Sequence, residues 1–201
     1  MQNILITGCS SGIGLQTALI MKEKNYKVYA SARKQKDVDR LKELGFEAFK
    51  INVKNKDEIT YALNTIMKND LKLDAVFNNA GFGQPGAVED ISVEVLKKQF
   101  NTNFFGLHQV TLEALKVFRA QGFGKIIQHS SVLGLISLKY RGAYNASKYA
   151  IEGISDTLRQ EVLGTNIYIS TINTGPVTSN FRANGLKKFN ENIDVENSYF
   201  K

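Results

Sequence analysis

The sequence predicts an α/β protein of the doubly wound kind, in which helices cover both faces of a parallel β-sheet and make three layers. Short apolar runs alternate along the chain with longer segments of helical periodicity. Several of these runs lack polar alternation, which is typical of strands that are buried on both faces. Right-handed crossovers between such strands give a sheet of the Rossmann type.

Six strands and five helical segments follow from this pattern in chain order. The strands are predicted at Asn3–Thr7, Lys27–Ala32, Glu47–Asn52, Asp74–Asn78, Lys125–Ser130 and Ile167–Asn173. The helical segments are predicted at Ile13–Lys24, Val38–Leu44, Asp57–Lys68, Ser92–Arg119 and Ala143–Leu163. We expect the fourth segment to form two helices with a break near Asn103–Gly106, because asparagine competes for the hydrogen bonds of a helical backbone. The polar stretch Leu186–Lys201 predicts no closing strand.

Length and composition predict a single domain over residues 1–201. The formal charge of +7 comes from scattered lysines, so we expect solvated surfaces and no nucleic-acid partner, although part of the charge could attract a phosphorylated cofactor. Cys9 is the only cysteine, which excludes an internal disulfide and fits a reducing compartment. No apolar run is long enough to span a bilayer, and we expect a cytoplasmic protein.

A glycine-rich turn, Thr7–Gly14, lies between the first predicted strand and the first predicted helix. Gly8, Gly12 and Gly14 let the backbone turn tightly and approach a pyrophosphate without a side-chain clash, while the helix N-terminus offers free N–H groups. A purely structural turn is the alternative. The position between strand and helix favours dinucleotide binding.

The end of the second predicted strand indicates which dinucleotide binds. An acidic residue there would bind the ribose hydroxyls and repel a 2′-phosphate. This chain has Ala32 followed by Arg33 and Lys34, and an arginine can bind a phosphate through charge-assisted hydrogen bonds. Ser11 could add a hydroxyl. The sequence therefore favours NADP(H) over NAD(H), although Arg33 could also be an ordinary surface residue.

A candidate catalytic pair lies at the start of the last predicted helix, where the spacing of Tyr144 and Lys148 puts both on one helical face. A free tyrosine has a pKa of about 10, which is too high for a base at neutral pH. A lysine ammonium close to the phenol lowers that pKa, so that the phenol can exchange a proton with a carbonyl or alcohol oxygen. Ser131 ends the fifth predicted strand and adds a hydroxyl at the same edge of the sheet, with Ser130 as the neighbouring alternative.

These motifs together resemble the short-chain dehydrogenase/reductase family. The motifs are Thr-Gly-x-x-x-Gly-Ile-Gly at Thr7–Gly14, Asn-Asn-Ala-Gly at Asn78–Gly81, Ser-Ser-Val-x-Gly from Ser130 and Tyr-x-x-x-Lys from Tyr144. The resemblance implies catalytic roles for Asn103, Ser131, Tyr144 and Lys148, with Asn103 holding a water that links Lys148 to solvent. It implies no metal, and it implies cofactor contacts from Gly8, Ser10, Ser11, Gly12, Ile13, Gly14, Arg33, Asn52, Val53, Asn79, Ala80, Gly81, Tyr144, Lys148, Pro176, Val177 and Ser179.

The chain departs from the family pattern after the sixth predicted strand. The family usually has Pro-Gly where this chain has Thr174 and Gly175, and the change removes a fixed φ angle. Family members also continue into substrate-covering lid helices and a last edge strand, which we expect to be missing from this chain. The family is commonly dimeric or tetrameric, so the resemblance implies a homodimer or homotetramer for the full-length protein.

The segment Gly81–Glu89 is most similar to the subgroup of 17β-hydroxysteroid dehydrogenases, retinol-type dehydrogenases and bacterial aldehyde reductases. This similarity implies an apolar carbonyl substrate that is reduced with NADPH. Two other functions stay open at this point. A non-catalytic NADP(H)-binding regulator would share the fold and the cofactor site, and a basic nucleic-acid-binding protein would share the charge. His129 precedes the serine pair without a nucleophile–base–acid order around it, so we expect a packed histidine at the strand end.

Overall fold

The computed structural model describes residues 1–200 and contains one parallel sheet of six strands. The strands are β1 Asn3–Ile6, β2 Lys27–Ala32, β3 Glu47–Lys50, β4 Ala75–Asn78, β5 Gly124–His129 and β6 Ile167–Ile172. They are ordered β3-β2-β1-β4-β5-β6, and every neighbouring pair is parallel. The order reverses between β1 and β4, which is where such sheets bind their ligands. The predicted doubly wound α/β fold is confirmed, and the predicted strands match these bounds to within two residues.

Seven α-helices lie within residues 1–200, six of them between strands and the last after β6. They are α1 Gly12–Glu23, α2 Gln35–Glu43, α3 Lys56–Asp70, α4 Val93–Phe100, α5 Leu107–Gln121, α6 Gly142–Glu161 and α7 Phe181–Asn192. Local chemistry explains several of their ends. The Asn55 side chain caps α3 by accepting hydrogen bonds from the N–H groups of Asp57 and Glu58. Gly122 ends α5 with a φ of 85°, a conformation that glycine adopts without strain.

The long fourth helical segment and the last helix differ from the sequence-based expectations. A π-helical turn over Asn101–Gly106 joins α4 to α5, so the expected break is a change of hydrogen-bond register and the chain does not leave the helix. Single π-helical turns are rare and are frequent at functional sites. The sequence did not predict α7, because its residues are polar and Gly185 is its only buried residue. Tertiary contact holds it instead: Asn192 donates a hydrogen bond to the side-chain oxygen of Gln84.

Apolar side chains fill the two faces of the sheet unequally. On one face the core includes Leu5 and Ile126 and packs against α3 and α5, and on the other Ile4 and Ile6 pack against α1 and α2. The second face is not covered at β5 and β6, where Tyr168 is 56% exposed. A cavity of about 380 Å³ opens there at the amino-terminal edge of the sheet, and none of the predicted site residues lines it. Among residues 1–200, no helix has both the length and the hydropathy that a membrane crossing requires.

Candidate active site

The carboxyl ends of the six parallel strands bring the predicted site residues to one edge of the sheet. The glycine turn follows β1, Arg33 follows β2, Asn52 follows β3, Asn79 follows β4, Ser131 follows β5 and residues 174–179 follow β6. The packing of α6 against β6 and the turn after Ser131 brings Tyr144 and Lys148 to the same edge. The sequence predictions therefore converge on a single cleft above the sheet.

The backbone of the glycine turn fits a pyrophosphate. Gly8 and Gly12 have φ angles of 74° and 59°, which side-chain-bearing residues rarely adopt. A Cβ on Gly14 would lie 2.4 Å from the Asn79 side-chain nitrogen and 2.5 Å from the Gly8 carbonyl oxygen. Ser11 precedes α1 and does not cap it with its side chain, so the first N–H groups of the helix are available to an anion.

Asn79 and Thr7 hold this turn against the end of β4. The Asn79 amide donates to the carbonyl oxygens of Thr7 at 2.9 Å and Gly8 at 3.1 Å. The Thr7 hydroxyl in turn accepts from the backbone N–H groups of Asn79 at 3.0 Å and Ala80 at 3.1 Å. The neighbouring Asn78 bridges Thr111 of α5 and Gln128 of β5. The Asn-Asn pair thus fixes both the central sheet and the glycine turn.

Two arginines lie beside the glycine turn, and the sequence predicted only one of them. Arg33 is exposed immediately after β2. The guanidinium of Arg40, on α2, donates to the carbonyl oxygen of Ser10 and so lies over the turn itself. A basic residue one helix away from the motif carries no sequence signal of its own, because only the packing of α2 places it there. Arg40 therefore places a positive charge at this end of the cleft, and Arg33 follows the strand next to β1.

The residues after β3 and in the π-helical turn have mainly structural contacts in this structure. The Asn52 side-chain oxygen accepts from the Lys54 N–H at 3.2 Å, and the Val53 side chain is buried against Gly106. The Asn103 side chain is 1% exposed, and its amide oxygen and nitrogen bind the backbone N–H and carbonyl of Phe82. Asn103 therefore fixes the loop after β4 against the π-helical turn, and its water-holding role stays a prediction.

Ser131, Lys148 and the half-buried Tyr144 form a cluster at the carboxyl end of β5. Ser131 is 7% exposed and Lys148 is 6% exposed. The Lys148 ammonium lies 5.5 Å from the centre of the Tyr144 ring and donates to the His129 carbonyl oxygen at 2.5 Å. The Ser131 hydroxyl donates to the Thr174 carbonyl oxygen at 3.3 Å and lies close enough to the Tyr144 phenol to lower its pKa, whereas the Ser130 hydroxyl is buried without a hydrogen-bond partner. The geometry therefore favours Ser131 over Ser130 as the hydroxyl that acts with Tyr144.

Burial governs the protonation of this cluster. It raises the pKa of the Tyr144 phenol, and the hydrogen bond with Ser131 acts in the opposite direction. This direction is opposite to the one expected from the sequence, because the cost of burying a phenolate is the larger effect. Burial also lowers the pKa of the Lys148 ammonium to about 8, and the Glu152 carboxylate opposes that change. Lys148 is therefore mostly charged at neutral pH and loses its charge as the pH rises through about 8.

The segment after β6 and the start of α7 cover the cleft. The Ser179 side chain lies 3.7 Å from the position that a Cβ on Gly12 would take, and its oxygen accepts from the Phe181 N–H at 3.3 Å. The Phe181 ring packs edge-to-face on Tyr144 with 5.5 Å between centroids. A Cβ on Gly83 would lie 2.8 Å from the Phe181 ring, so glycine is required for this contact. No motif in the sequence points to Phe181, because only the packing of α7 brings it to Tyr144.

This cleft is matched by a known family. The model of the short chain dehydrogenase family matches residues 2–189. The chain belongs to this family. The uncharacterized oxidoreductase YbbO of Escherichia coli K12 is 43% identical over 184 residues, which are 91% of this chain and 68% of that protein. The 3-ketodihydrosphingosine reductase of Bacteroides thetaiotaomicron is 35% identical over 184 residues, 91% of this chain and 66% of that protein.

A solved structure with a bound cofactor has a similar fold. ElxO with NADP bound has a TM-score of 0.85 and 25% sequence identity, over 94% of this chain and 78% of that one. The present chain spans about two thirds of the length of the curated relatives that it matches. Family and structure together support an oxidoreductase with a nicotinamide cofactor, and they confirm the resemblance read from the motifs.

Proposed function

We propose that the protein interconverts a carbonyl compound and an alcohol with NADP(H), and that Tyr144 is the general acid and base of this reaction. The observation that carries the proposal is the cluster of Ser131, the half-buried Tyr144 and Lys148 beside a glycine turn that fits a pyrophosphate. When bound, the nicotinamide ring supplies or accepts a hydride. The chain itself has to hold the substrate oxygen and exchange its proton.

The hydroxyls of Ser131 and Tyr144 are the groups that would bind the substrate oxygen. Charge develops on that oxygen during carbonyl reduction, and fixed hydrogen bonds to it lower the barrier. A phenol whose pKa is raised by burial keeps its proton at neutral pH and is therefore available as a proton donor. The Lys148 ammonium then stabilises the phenolate that proton transfer leaves behind. The same phenol would give its proton to the oxygen during reduction, and its phenolate would take the proton back during oxidation, so these groups serve both directions.

The preference for NADP(H) is supported at the other end of the cleft. Ala32 leaves no carboxylate to repel a 2′-phosphate, while Arg33 is free to reach it and Arg40 adds a second positive charge over the turn. Ser11 would add a hydroxyl. Lys148 and the backbone of Val177 are the proposed contacts of the nicotinamide half.

An apolar substrate is supported by the side chains around Tyr144. Phe181 covers the phenol from α7, and Leu135 and Ile136 follow Ser131 closely and are 60% and 55% exposed. An aromatic ring against the phenol and exposed apolar side chains in the segment after Ser131 are typical of a site for an apolar molecule. We therefore propose aldehydes or ketones with a large hydrocarbon portion as substrates.

The test compares Tyr144→Phe with Tyr149→Phe, a matched change at an exposed tyrosine of the same helix. NADPH oxidation is followed by absorbance with a panel of aliphatic aldehydes, steroid ketones and retinal. Tyr144→Phe should lower turnover by about 100-fold or more while NADPH binding survives, since general acid catalysis contributes about that much, and Tyr149→Phe should be unaffected. Unchanged turnover in Tyr144→Phe would refute its role. Binding of NADPH without turnover of any panel member by the unmodified protein would favour a regulator instead.

A further inference from the structure

His129 joins two walls of the cleft through its side chain. It is the last residue of β5, between the ends of β4 and β6 in the sheet. Its Nδ1 lies 2.9 Å from the side-chain oxygen of Asn79, and its Nε2 lies 2.8 Å from the hydroxyl of Thr174. Asn79 belongs to the wall that holds the glycine turn, and Thr174 begins the segment that crosses over that turn. The imidazole is therefore a bridge across the floor of the cleft.

The hydrogen bonds of Asn79 decide which nitrogen of the ring carries the proton. Its amide nitrogen donates to the carbonyls of Thr7 and Gly8, so its oxygen faces His129 as an acceptor. The proton must accordingly lie on Nδ1, and Nε2 accepts from the Thr174 hydroxyl. Burial, followed by the charge of Lys148, lowers the pKa of His129 to about 4, which keeps the ring neutral as this arrangement requires.

The bridge restrains the backbone at Thr174, where this chain departs from the family pattern. Thr174 occupies the position where the family pattern has a proline, so the backbone is less restricted there. The threonine supplies the hydroxyl that proline lacks. The backbone carbonyl of Thr174 also accepts from the Val132 N–H at 3.2 Å and from the Ser131 hydroxyl at 3.3 Å. The His129 bond adds a side-chain restraint to these backbone contacts.

We propose that His129 is a positioning residue, whose neutral imidazole acts through Asn79 and Thr174 to hold the glycine turn and the segment after β6 at the separation that the dinucleotide requires. The proposal rests on the function proposed above, because it presumes a dinucleotide in the cleft. In the proposed arrangement, His129 does not itself contact the cofactor. Its loss should therefore raise the KM and the dissociation constant for NADPH, and leave kcat at saturating NADPH within about twofold.

The test is a double-mutant cycle on NADPH binding, measured by fluorescence titration of the full chain. Thr174→Val removes the hydroxyl and keeps the shape, and Thr174→Ser is the matched control that retains it. Thr174→Val should raise the NADPH dissociation constant about tenfold, because it leaves Nε2 buried without a partner, and Thr174→Ser should restore binding to within about twofold. In the background of His129→Phe, Thr174→Val should change binding by less than about twofold, since the bond is already absent.

The outcomes separate this inference from the proposed function. Equal NADPH binding by Thr174→Val and Thr174→Ser would overturn the bridge while leaving the dehydrogenase proposal intact. The same loss from Thr174→Val with and without His129 would also overturn it, because the threonine would then act alone. If His129→Phe lowered kcat and left the KM for NADPH unchanged, His129 would have a catalytic role and the positioning role would be refuted. If the unmodified protein bound no NADPH, the proposed function would fail, and the bridge with it.

Discussion

Acid should destabilise the protein through His129 in a pH range that the structure defines. Burial and the charge of Lys148 hold the pKa of this imidazole at about 4 in the folded protein, against an ordinary value of 6.5. The unfolded chain therefore binds the proton more readily than the folded chain does. The stability that the neutral ring contributes is complete above about pH 6.5 and is lost progressively as the pH falls toward about 4.

The size of the effect follows from these two pKa values. Their difference corresponds to about 3 kcal/mol once both states are protonated, and the part lost between about pH 7.5 and pH 5 is about 2 kcal/mol. Glutamine keeps a donor and an acceptor but does not titrate. As the pH falls from about 7.5 to about 5, the unmodified protein should lose about 2 kcal/mol that His129→Gln does not lose. The unfolding free energy of His129→Gln minus that of the unmodified protein should therefore rise by about 2 kcal/mol.

Urea unfolding at several pH values between about 5 and 7.5 measures this difference directly. His108→Gln is the matched control, because His108 is the other histidine of the chain. If the pH dependence came from the loss of any histidine, His108→Gln would show the same change as His129→Gln. Parallel curves for the unmodified protein and His129→Gln would refute the reasoning, since they would mean that His129 has the same pKa in both states.

Two further predictions concern the cofactor turn. Arg33→Ala and Arg40→Ala should each weaken NADPH binding about tenfold and leave NADH binding within about twofold. The reason is that a charge-assisted hydrogen bond to the 2′-phosphate, which NADH lacks, contributes about 1.5 kcal/mol or more. Equal losses of affinity for both dinucleotides in a binding titration would contradict this prediction. Gly14→Ala should lower the free energy of unfolding by about 1–3 kcal/mol, because its methyl group would overlap the Asn79 amide and the Gly8 carbonyl. Gly153→Ala, on an open face of α6, should instead raise it by about 0.5–1 kcal/mol in the same urea experiment.

The fold and most of the cleft could be predicted because both depend on order along the chain. Apolar runs such as β1 are buried on both faces and carry a signal that survives without tertiary information. Because the strands are parallel, their carboxyl ends lie at one edge of the sheet. The residues that follow the strands are therefore close together, and this can be predicted without knowing the orientation of their side chains. The pairing of Tyr144 with Lys148 is equally local, since both lie on one face of α6.

What could not be predicted depends on packing between distant segments. α7 has little apolar surface of its own and is held by Gln84, 108 positions away from Asn192 in the chain. Arg40 reaches Ser10 only because α2 packs beside the glycine turn. The pKa of Tyr144 was expected to fall because a neighbouring charge can be read from sequence spacing. It rises because burial, which sequence spacing does not give, has the larger effect.

Lys148 contacts both His129 and Tyr144. An ammonium that is 6% exposed is costly to bury, and its lowered pKa reflects that cost. Its hydrogen bond goes to the carbonyl of His129, the same residue whose ring joins Asn79 to Thr174. An apolar side chain of similar length would fill the space without the penalty. The burial of this charge supports the role proposed for Lys148 beside Tyr144, and the carbonyl oxygen of His129 orients the ammonium.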